Sequence, residues 1–170
     1  IASEDGFGFL TGSGLEPLQS LAASLALVEP ESIQVARGGD TAAVQVLSGS
    51  VLRVSASEPI VVHDSRVGLI EPTLDPLGYV WSVPAAAPAA LLAFDADGGE
   101  VEIADAWPGA AEVTSMQVSR DGTRMVAVVK IGGSSAVWVS GVIRDEKGAP
   151  VALGEPLALA SLEGNGLDVA

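Results

Sequence analysis

The chain contains no cysteine, a single histidine (His63) and only 4% aromatic residues. Without cysteine there is no disulfide, no thiol nucleophile and no thiolate metal site, and one histidine excludes a two- or three-histidine metal centre within one chain. Cations are scarce as well: 8 Lys+Arg stand against 22 Asp+Glu, a net charge of −14. The deficit is uniform, since residues 1–85 hold three basic and ten acidic groups and residues 86–170 five and twelve, leaving −7 in each half. Nucleic acid and anionic lipid surfaces gain their general affinity from Lys and Arg neutralisation, so neither is an expected partner. The longest apolar stretch, residues 85–93, is interrupted by Pro88 and too short for a bilayer, so direct membrane insertion by this segment is not expected. No basic start precedes an apolar run at Ile1, and Glu4 and Asp5 follow at once, so no signal peptide is read there.

What the chain does hold is 48% hydrophobic residues, mostly Ala, Val and Leu, with 20 Gly and 10 Pro. That is enough apolar material for a folded core in 170 residues, and it argues against disorder. The strongest pattern is internal. Residues 70–83 (IEPTLDPLGYVWSV) and 116–129 (MQVSRDGTRMVAVV) each place a strand-like run, an Asp-containing turn and a second apolar run in the same order. Aligning Asp75 with Asp121 sets a period of 46 residues, and residues 32–46 (SIQVARGGDTAAVQV) form a weaker copy turning at Gly38, Gly39 and Asp40. Strand-rich repeats of about 40–50 residues indicate propeller blades.

Each unit divides into four strand runs at its turn residues. The runs lie near 32–36, 41–47, 51–56 and 59–63; near 68–74, 78–83, 90–94 and 100–104; and near 115–119, 124–130, 136–143 and 151–160. Asp-Gly and Gly-Gly pairs supply the positive φ angles of tight hairpins. Successive apolar positions at 125–129 and 137–139 suit strands buried on both faces, while Val101, Glu102 and Ile103 suit an outer strand. Small residues (Ala127, Ala136, Gly141) should admit close approach of neighbouring blades, with Trp81 and Trp138 filling the outer wedges. The expected fold is all-β, a β-propeller fragment of about three four-stranded antiparallel blades plus partial blades at both ends. Residues 1–31 hold the end of a preceding blade or a short helix beginning at Pro17; 32–66, 67–110 and 111–163 hold one blade each; 164–170 start a next, within one propeller domain. Such a fragment covers its exposed blade faces by self-association or tolerates apolar patches.

The segments 25–33 (LALVEPESI), 72–81 (PTLDPLGYVW), 118–129 (VSRDGTRMVAVV) and 137–156 (VWVSGVIRDEKGAPVALGEP), in that order along the chain, resemble the propeller domain of the LpqB family of actinobacterial lipoproteins. The Ser-Arg-Asp-Gly turn by itself is shared with TolB-like and WD40-like propellers. The resemblance implies a non-catalytic protein-interaction domain in the cell envelope, extracytoplasmic and anchored through a lipidated N-terminus absent from this segment. It further implies an accessory to the MtrA-MtrB two-component system, with the sensor histidine kinase ectodomain as protein partner. No catalytic, cofactor or metal residue is carried over by the resemblance, and no cofactor is expected. The rivals are a propeller hydrolase with carboxylates in a central funnel and a purely structural spacer.

Individual candidates have bland counterparts. Asp75 and Asp121 are read as turn residues accepting local N–H bonds in preference to funnel ligands. The stretch 95–100 (DADGGE) is read as a hairpin because it lacks the length and distal Glu of a calcium loop. His63 is read as a partly exposed outer-strand residue, since Asp64 and Ser65 beside it cannot converge on its ring as a triad. The stretch 12–16 is no phosphate loop, because Leu15 and Glu16 follow Gly14 where a Lys is required. The partner-contact candidates are Trp107, Arg120 and Arg144. Trp107, between the second and third units, either plugs the joint between blades or anchors a partner. Arg120, Arg124 and Arg144 flank turns, where they pair with Asp121, Asp145 or Glu146 or meet an acidic partner.

Overall fold

The computed structural model describes the backbone of residues 2–3, 6–11, 14–20, 30–35, 41–46, 49–55, 61–63 and 68–162, with side chains for 41–44, 49–55, 61–63 and 68–162. All regular structure among these residues is β. A first sheet contains β1 (Ala2–Ser3), β2 (Gly6–Thr11) and β3 (Gly14–Ser20). A second contains β4 (Pro30–Val35), β5 (Thr41–Val46), β6 (Val51–Ser55) and β7 (Val61–His63). The third contains β8 (Leu69–Leu74), β9 (Val80–Pro84), β10 (Leu91–Phe94) and β11 (Glu100–Ile103). The fourth contains β12 (Glu112–Val118), β13 (Arg124–Ile131), β14 (Ser134–Arg144), β15 (Pro150–Leu153) and β16 (Leu157–Leu162).

Within each sheet, strands pair antiparallel with their sequence neighbours through short turns, except β16, which pairs with β14. Between sheets, the first strands lie side by side: β1 packs on β4, β4 on β8 and β8 on β12. Successive sheets therefore share a hub of first strands, and their faces stack around it.

Burial follows from that stacking. Strands β6, β9 and β10 are buried at every position, and side chains alternate between two cores along one strand. Trp81, Val83, Leu91 and Ala93 join Met116, Met125, Ala127 and Val129 in the core between the third and fourth sheets. Val80, Leu92 and Phe94 point the other way, onto Ala43, Val51 and Leu69 of the core between the second and third. The period of two that normally separates core from water here separates one core from the next. Enclosing each Val or Leu contributes about 1.5–3 kcal/mol, so a small-residue composition with few aromatics fills two narrow cores. The edge strand β11 recovers exposure at Glu100 and Glu102.

Where sheets meet, backbone comes very close. Gly49, at φ +78°, would put a Cβ 3.0 Å from the Gly68 Cα, and Leu69 N–H donates to Gly49 O at 2.6 Å. Only glycine meets both the positive φ and the contact.

Four expectations are corrected. Strand β3 runs through Pro17, so no helix begins there; the rest of that stretch, residues 21–27, lies outside the described residues, as does the start of a next blade expected at 164–170. The single strand expected at 151–160 is β15 and β16, both paired with β14. The break falls at residues 154–156, where Pro156 has no N–H to offer the ladder and Gly154 is held by its own N–H to Gly141 O and by the Ser140 hydroxyl donating to its carbonyl. Gly141 itself faces open space, with nothing within 4 Å of an added Cβ, so it does not serve blade approach. Finally, Asp75 and Asp121 are not equivalent. Gly78 N–H closes its turn on Asp75 O, and Gly122 N–H closes its turn on Ser119 O. Asp75 therefore matches Ser119, 44 residues on, and Asp121 sits two places deeper in its turn.

Candidate interaction site at the interlocked turns

Asp75, Asp95 and Asp145 each open a hairpin turn of the form Asp-x-x-Gly. In all three, the Asp Oδ1 accepts the N–H two and four residues on: Leu77 and Tyr79, Asp97 and Gly99, Lys147 and Ala149, at 2.7–3.0 Å. The carboxylate thus completes the turn internally, the local role expected of it. The 95–100 stretch is accordingly the β10–β11 hairpin, with Phe94 paired to Glu100. Asp121 does similar work within its turn, accepting the Thr123 N–H and both the Ser119 and Thr123 hydroxyls. The Ser119 hydroxyl first, then the Thr123 N–H and hydroxyl, hold its carboxyl down at about 2.

Asp75 differs because its second oxygen is also taken. Oδ2 accepts the Trp81 indole N–H at 3.0 Å and an Arg144 N–H at 2.6 Å. The Asp75 carboxylate is wholly enclosed. Arg144 reaches it from the end of β14 and spends its other donors on Gly148 O (2.9 Å) and Gly122 O (3.2 Å), with its guanidinium 5.9–6.0 Å from the Tyr79 and Trp81 rings. One arginine thereby ties together the β8–β9, β12–β13 and β14–β15 turns. Contact is tight around it: a Cβ on Gly122 (φ +70°) would lie 3.0 Å from Pro76 Cγ, and one on Gly148 3.4 Å from Leu77 Cδ1.

The three partner-contact candidates end in different places. Arg144 is largely enclosed in this knot, with 14% of its side-chain surface exposed, and pairs with Asp75 instead of Asp121, Asp145 or Glu146. Trp107 is fully buried, 6.5 Å from the Trp138 ring, so it plugs the joint between the third and fourth sheets and presents nothing to a partner. Arg120 is exposed at its turn tip and makes no ion pair among the described residues. The structure brings Arg120 and Arg144 to one end of the molecule and leaves Trp107 in the core. Missed in the sequence were Asp75 as the anion of the joint and Leu77 as an exposed apolar tip, 57% accessible; the Asp-x-x-Gly spacing shared by Asp75, Asp95 and Asp145 was the available signal.

His63 is also relocated. It is 2% exposed, not partly exposed, because β7 packs over the end of β10 and stacks the imidazole on Phe94 at 4.5 Å and 21°. Burial, then the nearby Arg53 charge, lower its pKa to about 4 against the pull of Asp95. No group of three or more metal-ligating side chains converges among the described residues, and none of their helices is long and apolar enough to cross a membrane.

Stacked antiparallel sheets around a shared hub of first strands make this a β-propeller domain. Its solved likenesses are distant. A chain of a nidogen/laminin complex aligns with TM-score 0.61 at 10% identity over 88% of this chain and 53% of its own. A streptogramin B lyase gives 0.49 at 11% over 86% and 61%, and a protein from Lactobacillus plantarum 0.48 at 13% over 88% and 50%. The chain thus spans about half to three-fifths of the length of these structures, and the likeness is one of fold. Curated proteins provide no match. Residues 6–168 match the lipoprotein LpqB β-propeller domain family, and the chain belongs to that family.

Proposed function

We propose that this chain is a non-catalytic protein-interaction domain of an envelope lipoprotein, held outside the cytoplasm by a lipidated segment and acting on the MtrA-MtrB two-component system through the sensor kinase ectodomain. Membership of the LpqB propeller family is the observation that carries this reading. The site chemistry is in keeping with it. Asp75 is saturated by four donors in an enclosed ion pair, and the donors of its own turn on Asp121 Oδ1 hold that carboxyl down at about 2; general acid–base work is served by a pKa near the operating pH. What remains for outside contact is a set of rigid turns.

The test is direct binding of the full chain to the purified sensor kinase ectodomain, followed by calorimetry and by kinase autophosphorylation. Saturable binding with a change in kinase activity is expected. Absence of binding, with both proteins folded, overturns the assignment of this partner.

A further inference from the structure

Strand β16 forms the outer edge of the fourth sheet along residues 135–139 of β14, and among the described residues it pairs with β14 alone. The backbone N–H and C=O groups of its other side therefore meet no strand among those residues. Its side chains are open as well: every residue from Leu157 to Ser161 is exposed, with Leu157 at 63% and Leu159 at 58%. None of residues 157–162 (LALASL) carries a charge, nor does any of 134–143 in the strand beside it. In a chain of net charge −14, such an edge is where another strand approaches with least repulsion. The other outer edges are defended by means that proteins commonly use against edge pairing. Strand β3 contains Pro17, β7 is three residues long, β11 exposes Glu100 and Glu102, and β15 opens on Pro150. Strand β16 has neither charge nor proline, and its one irregularity is a bulge that leaves Leu159 without a partner residue on β14.

We infer that β16 is a self-association edge: two copies of the chain pair their β16 strands antiparallel about a two-fold axis and join their fourth sheets into one. An open strand edge selects extended backbone, because only a strand matches the spacing of its N–H and C=O groups. The β16 of a second copy fits it better than an unrelated strand for two reasons. A bulge raises local twist, and in a two-fold pair both strands carry the same bulge and the same twist. The side chains match too, since uncharged Leu, Ala and Ser face one another across the pair, and Leu157 and Leu159 leave water against the other copy. A contact of this symmetry closes on itself, so assembly stops at two copies. The net charge of each copy opposes it, as does Glu155, exposed just ahead of β16. At 0.1 M salt, charges more than about 10 Å apart are largely screened. Association therefore tightens as salt is added, the reverse of an interface held by ion pairs. The inference is independent of the kinase reading above.

The test is the mass of the full chain by light scattering over a range of concentrations, at low and at high salt, with amide hydrogen exchange read under the same conditions. A two-chain species that grows with concentration and with salt is expected, together with slower exchange at residues 157–162 as it forms. L159K and, independently, L157K put one ammonium group per copy on the paired edge, the device by which other edges stay single. Each should return the chain to the mass of one copy, with thermal melts confirming that these exposed positions accept the change. The exchange measurement needs no substitution and decides the matter on the native chain alone. A single-chain mass at every concentration overturns the inference. So does a two-chain species that survives both substitutions, one that dissociates as salt rises, or one that leaves exchange at 157–162 unchanged and so makes its contact elsewhere than this edge.

Discussion

Arg144 donates to Asp75 Oδ2 at 2.6 Å across the joint between the third and fourth sheets, joining residues 69 positions apart in the sequence. Arg144 also donates to the Gly148 and Gly122 carbonyls, and the Asp75 carboxylate, wholly enclosed, accepts from the Trp81 indole and the Leu77 and Tyr79 N–H groups as well. A buried carboxylate is tolerable only while its counter-charge and hydrogen bonds are in place.

Removing one partner should therefore cost more than removing both. R144M is expected to destabilise the domain by about 3–5 kcal/mol, since it strands the Asp75 charge. D75N in the same background should recover part of the loss, because a neutral amide oxygen still serves the Leu77 and Tyr79 N–H groups. Urea unfolding of the two single variants and the double variant measures this; a double variant as unstable as R144M alone would refute the assignment of the cost to a stranded charge.

The two buried tryptophans should respond differently to loss of the indole N–H. Trp81 Nε1 donates to Asp75, whereas Trp107 Nε1 has no acceptor among the described residues. W81F removes a bond to a charged acceptor and should cost about 1–3 kcal/mol more than W107F. Chemical unfolding of both variants gives the difference directly, and equal losses would count against it.

His63 confers a pH dependence with a definite sign. Its folded pKa of about 4 lies below the unfolded value of 6.5, so the unfolded chain takes up the proton first as pH falls. Its contribution is complete above about pH 6.5 and is lost between there and pH 4, up to about 3 kcal/mol. H63F keeps the stack on Phe94 and should flatten the stability profile in that window relative to the native chain, as read from unfolding free energies at a series of pH values.

Gly122 and Gly109 share a positive φ, at +70° and +78°, but not an environment. An added Cβ at Gly109 meets nothing within 4 Å, while at Gly122 it meets Pro76 Cγ at 3.0 Å. G109A should cost about 1–2 kcal/mol from backbone strain alone, and G122A about 1–3 kcal/mol more from overpacking the joint. Melting temperatures of the two variants separate the effects.

Most strands of the second, third and fourth sheets were legible because their signals are local. Apolar runs at 80–83 and 91–94 bounded by Asp, Gly and Pro leave the backbone few alternatives. The interrupted edge of the fourth sheet was less legible, since 151–160 reads as one run until β14 sets the register on either side of Gly154. The environment of His63 was illegible for a related reason: strand alternation says which face it takes, and only the neighbouring sheet says that Phe94 waits there.

The sequence by itself determined an acidic, cysteine-free, all-β chain built of repeated hairpins, because composition and turn chemistry act over a few residues. Tertiary structure alone decided what those turns are for. Asp75, Asp95 and Asp145 close their turns with the same two Oδ1 hydrogen bonds, yet Asp75 also holds an enclosed ion pair. The difference is supplied by Arg144, which belongs to another sheet and comes within bonding distance only when the sheets stack. A charge-assisted bond acts over some 3 Å, and no local pattern carries the position of a partner 69 residues away.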